Sequence, residues 1–174
     1  MEEYGLPSVE PPDVDLGKVM DRVQTVIQEI AHHDSPERFT SLGAEVMFGN
    51  PKFTSPHEVS INGNLISAKK ILLSTGSRPF IPPIEGLEET GYITNLDVFS
   101  LNKVPARLIA LGGGPIGVEL SQSLLRLGSK VTVMDMAPYI LPREDEDMAR
   151  FVHDSLVRDG ADIITKAQIY KIEK

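Results

Sequence analysis

The sequence predicts an α/β fold: a parallel β-sheet in its second half and an antiparallel β-meander in its first. From residue 108 onward short apolar runs alternate with stretches of helical periodicity, the pattern of parallel strands joined by helical crossovers. Before residue 77 short apolar runs are separated by turn residues. Among these, Asn62-Gly63 readily supplies the positive φ angles of a tight hairpin.

After a Pro-rich start through Pro12, residues 15–33 place Leu16, Val19, Met20, Val23, Val26, Ile27 and Ile30 on one face of an amphipathic helix. A shorter helix follows, with Ser35 as its cap, Pro36 at the tolerated first position and Gly43 at its end. Residues 45–48, 58–61 and 65–67 read as strands of the meander, with turns at Asn50-Pro51 and Asn62-Gly63. The run 70–74, Lys-Ile-Leu-Leu-Ser, reads as a strand buried on both faces. Residues 77–105, rich in proline and turn residues, read as a connection, with a short helix expected near 95–100. Strands at 108–111, 130–134 and 162–165 then enclose helices at 115–127 and 145–159. A strand at 70–75 left unpaired would be a long apolar edge, so its pairing beside 108–111 in one permuted sheet is the expectation.

Composition narrows the functions available. The chain has 174 residues, enough for one solid core or two small ones, and its 41% apolar and 24% charged residues suit a folded globular protein. A net charge of −8 argues against nucleic acid, whose affinity rests on basic patches and released counterions. The longest apolar candidate, 108–120, is interrupted by Gly112-Gly113-Gly114, so no membrane span is expected. The Met-Glu-Glu start carries neither a basic leader nor an apolar stretch, and a cytoplasmic setting is the expectation. With no cysteine the chain holds no disulfide, no thiolate nucleophile and no Cys-ligated metal. Its four histidines lack metal-ligand spacing, and no metal site is expected.

The chemistry concentrates at residues 108–119. There G-x-G-x-x-G, at Gly112, Gly114 and Gly117, follows an expected strand and opens an expected helix, and Asp135 ends the next strand roughly 20 residues on. This is the Rossmann-like fingerprint of a dinucleotide site. Gly112 permits the tight turn, Gly114 lets a pyrophosphate approach the backbone, and Gly117 lets helix and strand pack closely. The pyrophosphate would rest on the free amides of the helix start. Asp135 would accept the adenosine ribose hydroxyls and repel a 2′-phosphate, and no arginine follows within the next few positions, so NAD is favoured over NADP. Glu119 lies near the first turn, where a carboxylate is favoured electrostatically whatever its function.

Thr75-Gly76-Ser77-Arg78-Pro79, the tract Ile81-Pro82-Pro83-Ile84-Glu85-Gly86 and the run from Gly112 to Leu120 together resemble the class I pyridine nucleotide-disulfide oxidoreductases, on the side of dihydrolipoamide dehydrogenase and mercuric reductase. The resemblance covers nearly all of the chain and includes Leu141-Pro142-Arg143-Glu144-Asp145. It implies an FAD/NAD(P)-binding type of fold, incomplete relative to the family. Residues 1–76 would be a remnant of the FAD-binding domain, 77–105 a connection and 106–174 the first half of the NAD-binding domain. It further implies a homodimeric parent in which NAD(P)H passes hydride to FAD and the flavin reduces a cysteine pair. Gly112, Gly113, Gly114, Pro115, Ile116, Gly117, Glu119 and Asp135 match NAD-contacting positions, with Glu119 near the nicotinamide and flavin edge. Thr75 and Gly76 match an FAD motif, and Pro51 matches a backbone contact to the FAD adenine, although proline has no N–H to offer. Without cysteines the isolated chain is expected to be catalytically silent. A non-catalytic NAD-binding module and a cysteine-independent flavin NADH reductase are the alternatives.

Overall fold

The computed structural model describes residues 13–173, so the Pro-rich start through Pro12 and Lys174 lie outside the described residues. The described residues form two compact units, 24–80 and 81–173 together with 13–23. Helix α1, Leu16–Ala31, forms at the expected place, and a 3-10 turn at His32–Asp34 extends it. Only Leu16 of its apolar face is buried, while Ile27 and Ile30 remain about half exposed. Helix α2, Pro36–Ser41, has the expected cap, the Ser35 hydroxyl accepting from the Arg38 N–H.

In the 24–80 unit, strands β1 (Lys52–Ser55), β2 (Glu58–Ile61) and β3 (Asn64–Ser67) form an antiparallel meander in that order. Asn62 (φ 52) and Gly63 (φ 84) make the tight turn between β2 and β3, which pairs Ile61 with Asn64. The first strand lies elsewhere than expected, at Lys52–Ser55 instead of 45–48. Its turn is Pro56-His57, the two residues that close β1 onto β2. Residues 45–48 are held by a side chain instead of a ladder, since Asn62 Nδ2 donates to the Phe48 carbonyl at 2.7 Å.

The expected strand at 70–75 does not form. Those residues join neither sheet, the pairing beside 108–111 is absent, and Leu72 and Leu73 are 90% and 65% exposed instead of buried on both faces. An extended apolar run becomes a strand only when a neighbour accepts its backbone bonds, and the described residues supply none.

The other unit contains strands β4 (Arg107–Leu111), β5 (Lys130–Met134) and β6 (Asp162–Ile164), with helices α4 (Pro115–Arg126) and α5 (Glu146–Asp159) between them. All pairings are parallel, and β5 is central. Side chains alternate across a strand, so β5 turns Val131 and Val133 to one face. There they pack with Val118 of α4, Leu156 of α5, Ile140 and Ala161 in a core whose β5 and α5 members are completely buried. The opposite face, with Ile109 and Ile164, stays open. The connection carries the short helical turn expected near 95–100 and one further helix that was not expected. A short helix α3, Leu87–Thr90, and a 3-10 turn at Val98–Ser100 bury Leu87 and Val98. Glu85 bridges in parallel to Lys171, with Ile172 N–H donating to the Glu85 carbonyl at 2.8 Å. The Lys171 ammonium also sits between Glu85 and Glu173, which raises its pKa above the usual lysine value, Glu173 contributing most. Among the described residues no helix is long and apolar enough to cross a membrane.

Two stability outcomes follow from this packing. Leu156→Ala should cost about 2–5 kcal/mol, because the side chain is fully enclosed and its removal leaves a void in the core. Ser121→Ala should instead stabilise the protein by about 1 kcal/mol, because the buried Ser121 hydroxyl has no hydrogen-bond partner. Urea unfolding followed by circular dichroism measures both.

Candidate functional site

The candidate site is built where β4 passes into α4. Gly112 continues the ladder by one bond, its N–H donating to the Met134 carbonyl at 2.8 Å, and then turns the chain at φ 115. Gly114 caps α4 and accepts the Val118 N–H at 2.9 Å; Pro115 holds the first helical position. No side chain caps this helix. The first-turn amides of Ile116 and Gly117 therefore have no intrahelical acceptor and face outward at the positive end of the helix dipole.

The glycines earn their places differently. A Cβ at Gly117 would lie 2.1 Å from the Gly112 carbonyl oxygen, so only glycine lets the helix sit this close to the turn. A Cβ at Gly114 would meet nothing within 4 Å, so that position borders open space in front of the amides. Free amides at a helix start beside open space at Gly114 could accept an anion.

Asp135, just past β5, lies across the same loop. Its Oδ2 accepts the Gly113 N–H at 2.6 Å and its Oδ1 accepts the Ala137 N–H at 2.7 Å. The Asp135 backbone is fixed as well, its N–H donating to Ile164 and its carbonyl accepting from Ala167. A carboxylate offers about four acceptor positions, so two remain for ligand hydroxyls after these bonds. Gly112, Gly113, Gly114, Pro115, Ile116, Gly117 and Asp135 are thus gathered at one place.

Glu119 is the one remaining candidate residue in the same unit. Glu119 is exposed on α4, its backbone carbonyl accepting the Ser123 hydroxyl at 2.8 Å. Pro51, Thr75 and Gly76 belong to the 24–80 unit. Pro51 borders an apolar hollow of about 380 Å³ with Glu45, Met47, Val59, Ile61 and Ile66, and Thr75-Gly76 is exposed chain outside both sheets. Among the described residues no group of three His, Cys, Asp or Glu side chains could hold a metal ion.

The segment after β5 supports the glycine loop in a way that no local sequence pattern marks. Ile140 is completely buried against Gly113, and the Leu141 N–H donates to the Gly113 carbonyl at 2.7 Å with Leu141 in the left-handed region at φ 53. Nothing in the residue type announces this: leucine has no preference for that region, and the proline after it favours extended backbone.

Comparison with known proteins agrees with this architecture. Residues 13–174 match the family model for pyridine nucleotide-disulphide oxidoreductases. A mercuric reductase from Bacillus cereus is 32% identical over 93% of this chain and 26% of its own length. A dihydrolipoyl dehydrogenase from Acholeplasma laidlawii is 29% identical over 98% of this chain and 52% of its own length. The flavoprotein disulfide reductase RclA from Escherichia coli, solved as a Cu(II) complex, superposes with a TM-score of 0.79 at 29% identity, covering 93% of this chain and 38% of that one. The chain thus spans 26% to 52% of the length of these relatives. Its match along the described fold and through the glycine loop means that the chain belongs to the pyridine nucleotide-disulphide oxidoreductase family.

Proposed function

We propose that this chain is the nicotinamide-nucleotide-holding piece of an FAD-dependent NAD(P)H oxidoreductase of the dihydrolipoamide dehydrogenase or mercuric reductase type. In this reading residues 106–174 are the first half of an NAD-binding domain, 77–105 a connection and 1–76 part of an FAD-binding domain. The observation that carries it is the Asp135 carboxylate bonded across the glycine loop to Gly113, beside a helix start that no side chain caps and where Gly114 leaves open space.

Each residue then has a physical task. The Ile116 and Gly117 amides donate to pyrophosphate oxygens, Gly114 leaves room for their approach, and Gly112, Gly113 and Pro115 set the direction of the turn. Asp135 accepts the adenosine ribose hydroxyls with its remaining lone pairs, and its charge disfavours a 2′-phosphate, which makes NAD the preferred nucleotide. Glu119 is assigned to the nicotinamide and flavin edge, and Thr75, Gly76 and Pro51 to FAD contacts, Pro51 through its ring and carbonyl only. Bound FAD supplies the hydride acceptor in such an enzyme. The parent is a homodimer in this reading, and its small-molecule partners are dinucleotides.

The chain has no cysteine, so it cannot itself perform a dithiol-disulfide exchange step. We therefore assign no turnover to the isolated polypeptide. The same lack of cysteine favours a second reading, a non-catalytic NAD-binding module; binding of NADH with no binding of FAD would support it over the first.

Fluorescence titration of the chain with NADH should give saturable binding. Asp135→Asn should weaken it about tenfold or more, with a narrower preference for NADH over NADPH, because a charged acceptor is lost. Equal affinity of the variant and the parent chain for NADH would remove Asp135 from the site. A diaphorase assay with NADH, added FAD and a dye acceptor should give only background turnover, and robust turnover would overturn the assignment of a silent chain.

A further inference from the structure

Resting on the nucleotide reading above, we propose that Ile140 and Leu141 form a positioning latch that presets the glycine loop before the dinucleotide arrives. Gly113 is held from three directions. Its N–H donates to Asp135 Oδ2 at 2.6 Å, its carbonyl accepts the Leu141 N–H at 2.7 Å, and a Cβ on it would lie 2.7 Å from Ile140 Cγ2. All three holds come from the chain that follows β5. The loop whose amides would meet the pyrophosphate is therefore oriented by the segment whose first residue would meet the ribose.

The latch uses an unfavourable backbone conformation. Leu141 sits at φ 53, where an L side chain crowds its own backbone, and that conformation brings its N–H to the Gly113 carbonyl. Such a state persists only where the surroundings over-determine it. Here they do. Ile140 is 0% exposed in the core, the Leu141 carbonyl accepts the Glu144 N–H at 3.0 Å, and the Ala137 carbonyl accepts the Lys166 N–H at 2.9 Å. The Ala137 N–H is in turn the second donor to the Asp135 carboxylate, at 2.7 Å. The post-β5 segment, the acidic residue and the glycine turn thus form one hydrogen-bonded ring around Gly113. Fixing that ring in the free protein spares the ligand the cost of ordering it, which raises affinity without any added contact.

Leu141→Val and Leu141→Asn separate this role from simple packing. Valine keeps an apolar side chain but resists the left-handed region, whereas asparagine tolerates that region but gives up the apolar contact with the core. Amide hydrogen exchange by NMR on the ligand-free full chain, NADH titration and thermal unfolding are measured on both variants. Leu141→Val should speed exchange of the Gly113 and Leu141 amides and raise the Kd for NADH, each by about tenfold, with little loss of Tm. Leu141→Asn should lower Tm yet keep exchange and Kd within about twofold of the unsubstituted chain. Unchanged exchange in Leu141→Val, or a loss of NADH affinity that follows Tm instead of exchange, would overturn the latch. If the unsubstituted chain binds no NADH, the nucleotide reading fails, while the exchange rates still decide whether Leu141 holds the loop.

Discussion

The arrangement depends on how closely α4 approaches the turn that precedes it. With no Cβ at Gly117, the helix start comes against the Gly112 carbonyl. That contact brings the outward-facing amides within the same small region as Asp135. A single methyl at position 117 would push the helix away from the sheet and separate donors from acceptor. The hydrogen bond from Gly113 to Asp135 then joins the ends of two neighbouring strands, and the parallel register of β4 and β5 makes that possible by aligning Leu111 with Met134.

The glycine loop and Asp135 are backed by a closely packed core. Val131 and Val133 face α4 and α5, and Ile140 closes the same core directly below the glycine loop. The site thus rests on fully buried side chains, although the residues that would touch a ligand are backbone and one carboxylate. The other face of the sheet and the apolar face of α1 have no comparable cover, and Ile109, Ile27 and Ile30 remain exposed there.

Membership in the pyridine nucleotide-disulphide oxidoreductase family fits the βαβαβ order and the glycine loop together. The departures from it are as informative. With no cysteine, the chain lacks the residues on which dithiol chemistry would run. Position 51, proposed above as an FAD contact, is a proline and has no backbone N–H to offer.

Much of this was legible before any coordinates. The strand and helix limits from Arg107 to Ile164, the Ser35 cap, the Asn62-Gly63 turn and the cluster of Gly112, Gly114, Gly117 and Asp135 each follow from local rules: periodicity, capping, φ preference and motif spacing. Such rules work because the information lies within a few residues of where it acts. Other features depended on distant partners. Residues 70–74 carry a strand pattern, but a strand exists only through a neighbour's backbone, and the pattern cannot say whether that neighbour is present. The first meander strand moved to Lys52–Ser55 because the Pro56-His57 turn, not Asn50-Pro51, closes it onto β2. The βαβαβ order, the glycine turn and the acidic strand end are written in local residue patterns. The bond from Gly113 to Asp135 and the left-handed backbone of Leu141 that holds Gly113 arise only once the chain has folded, because both depend on contacts between segments that local preferences do not encode.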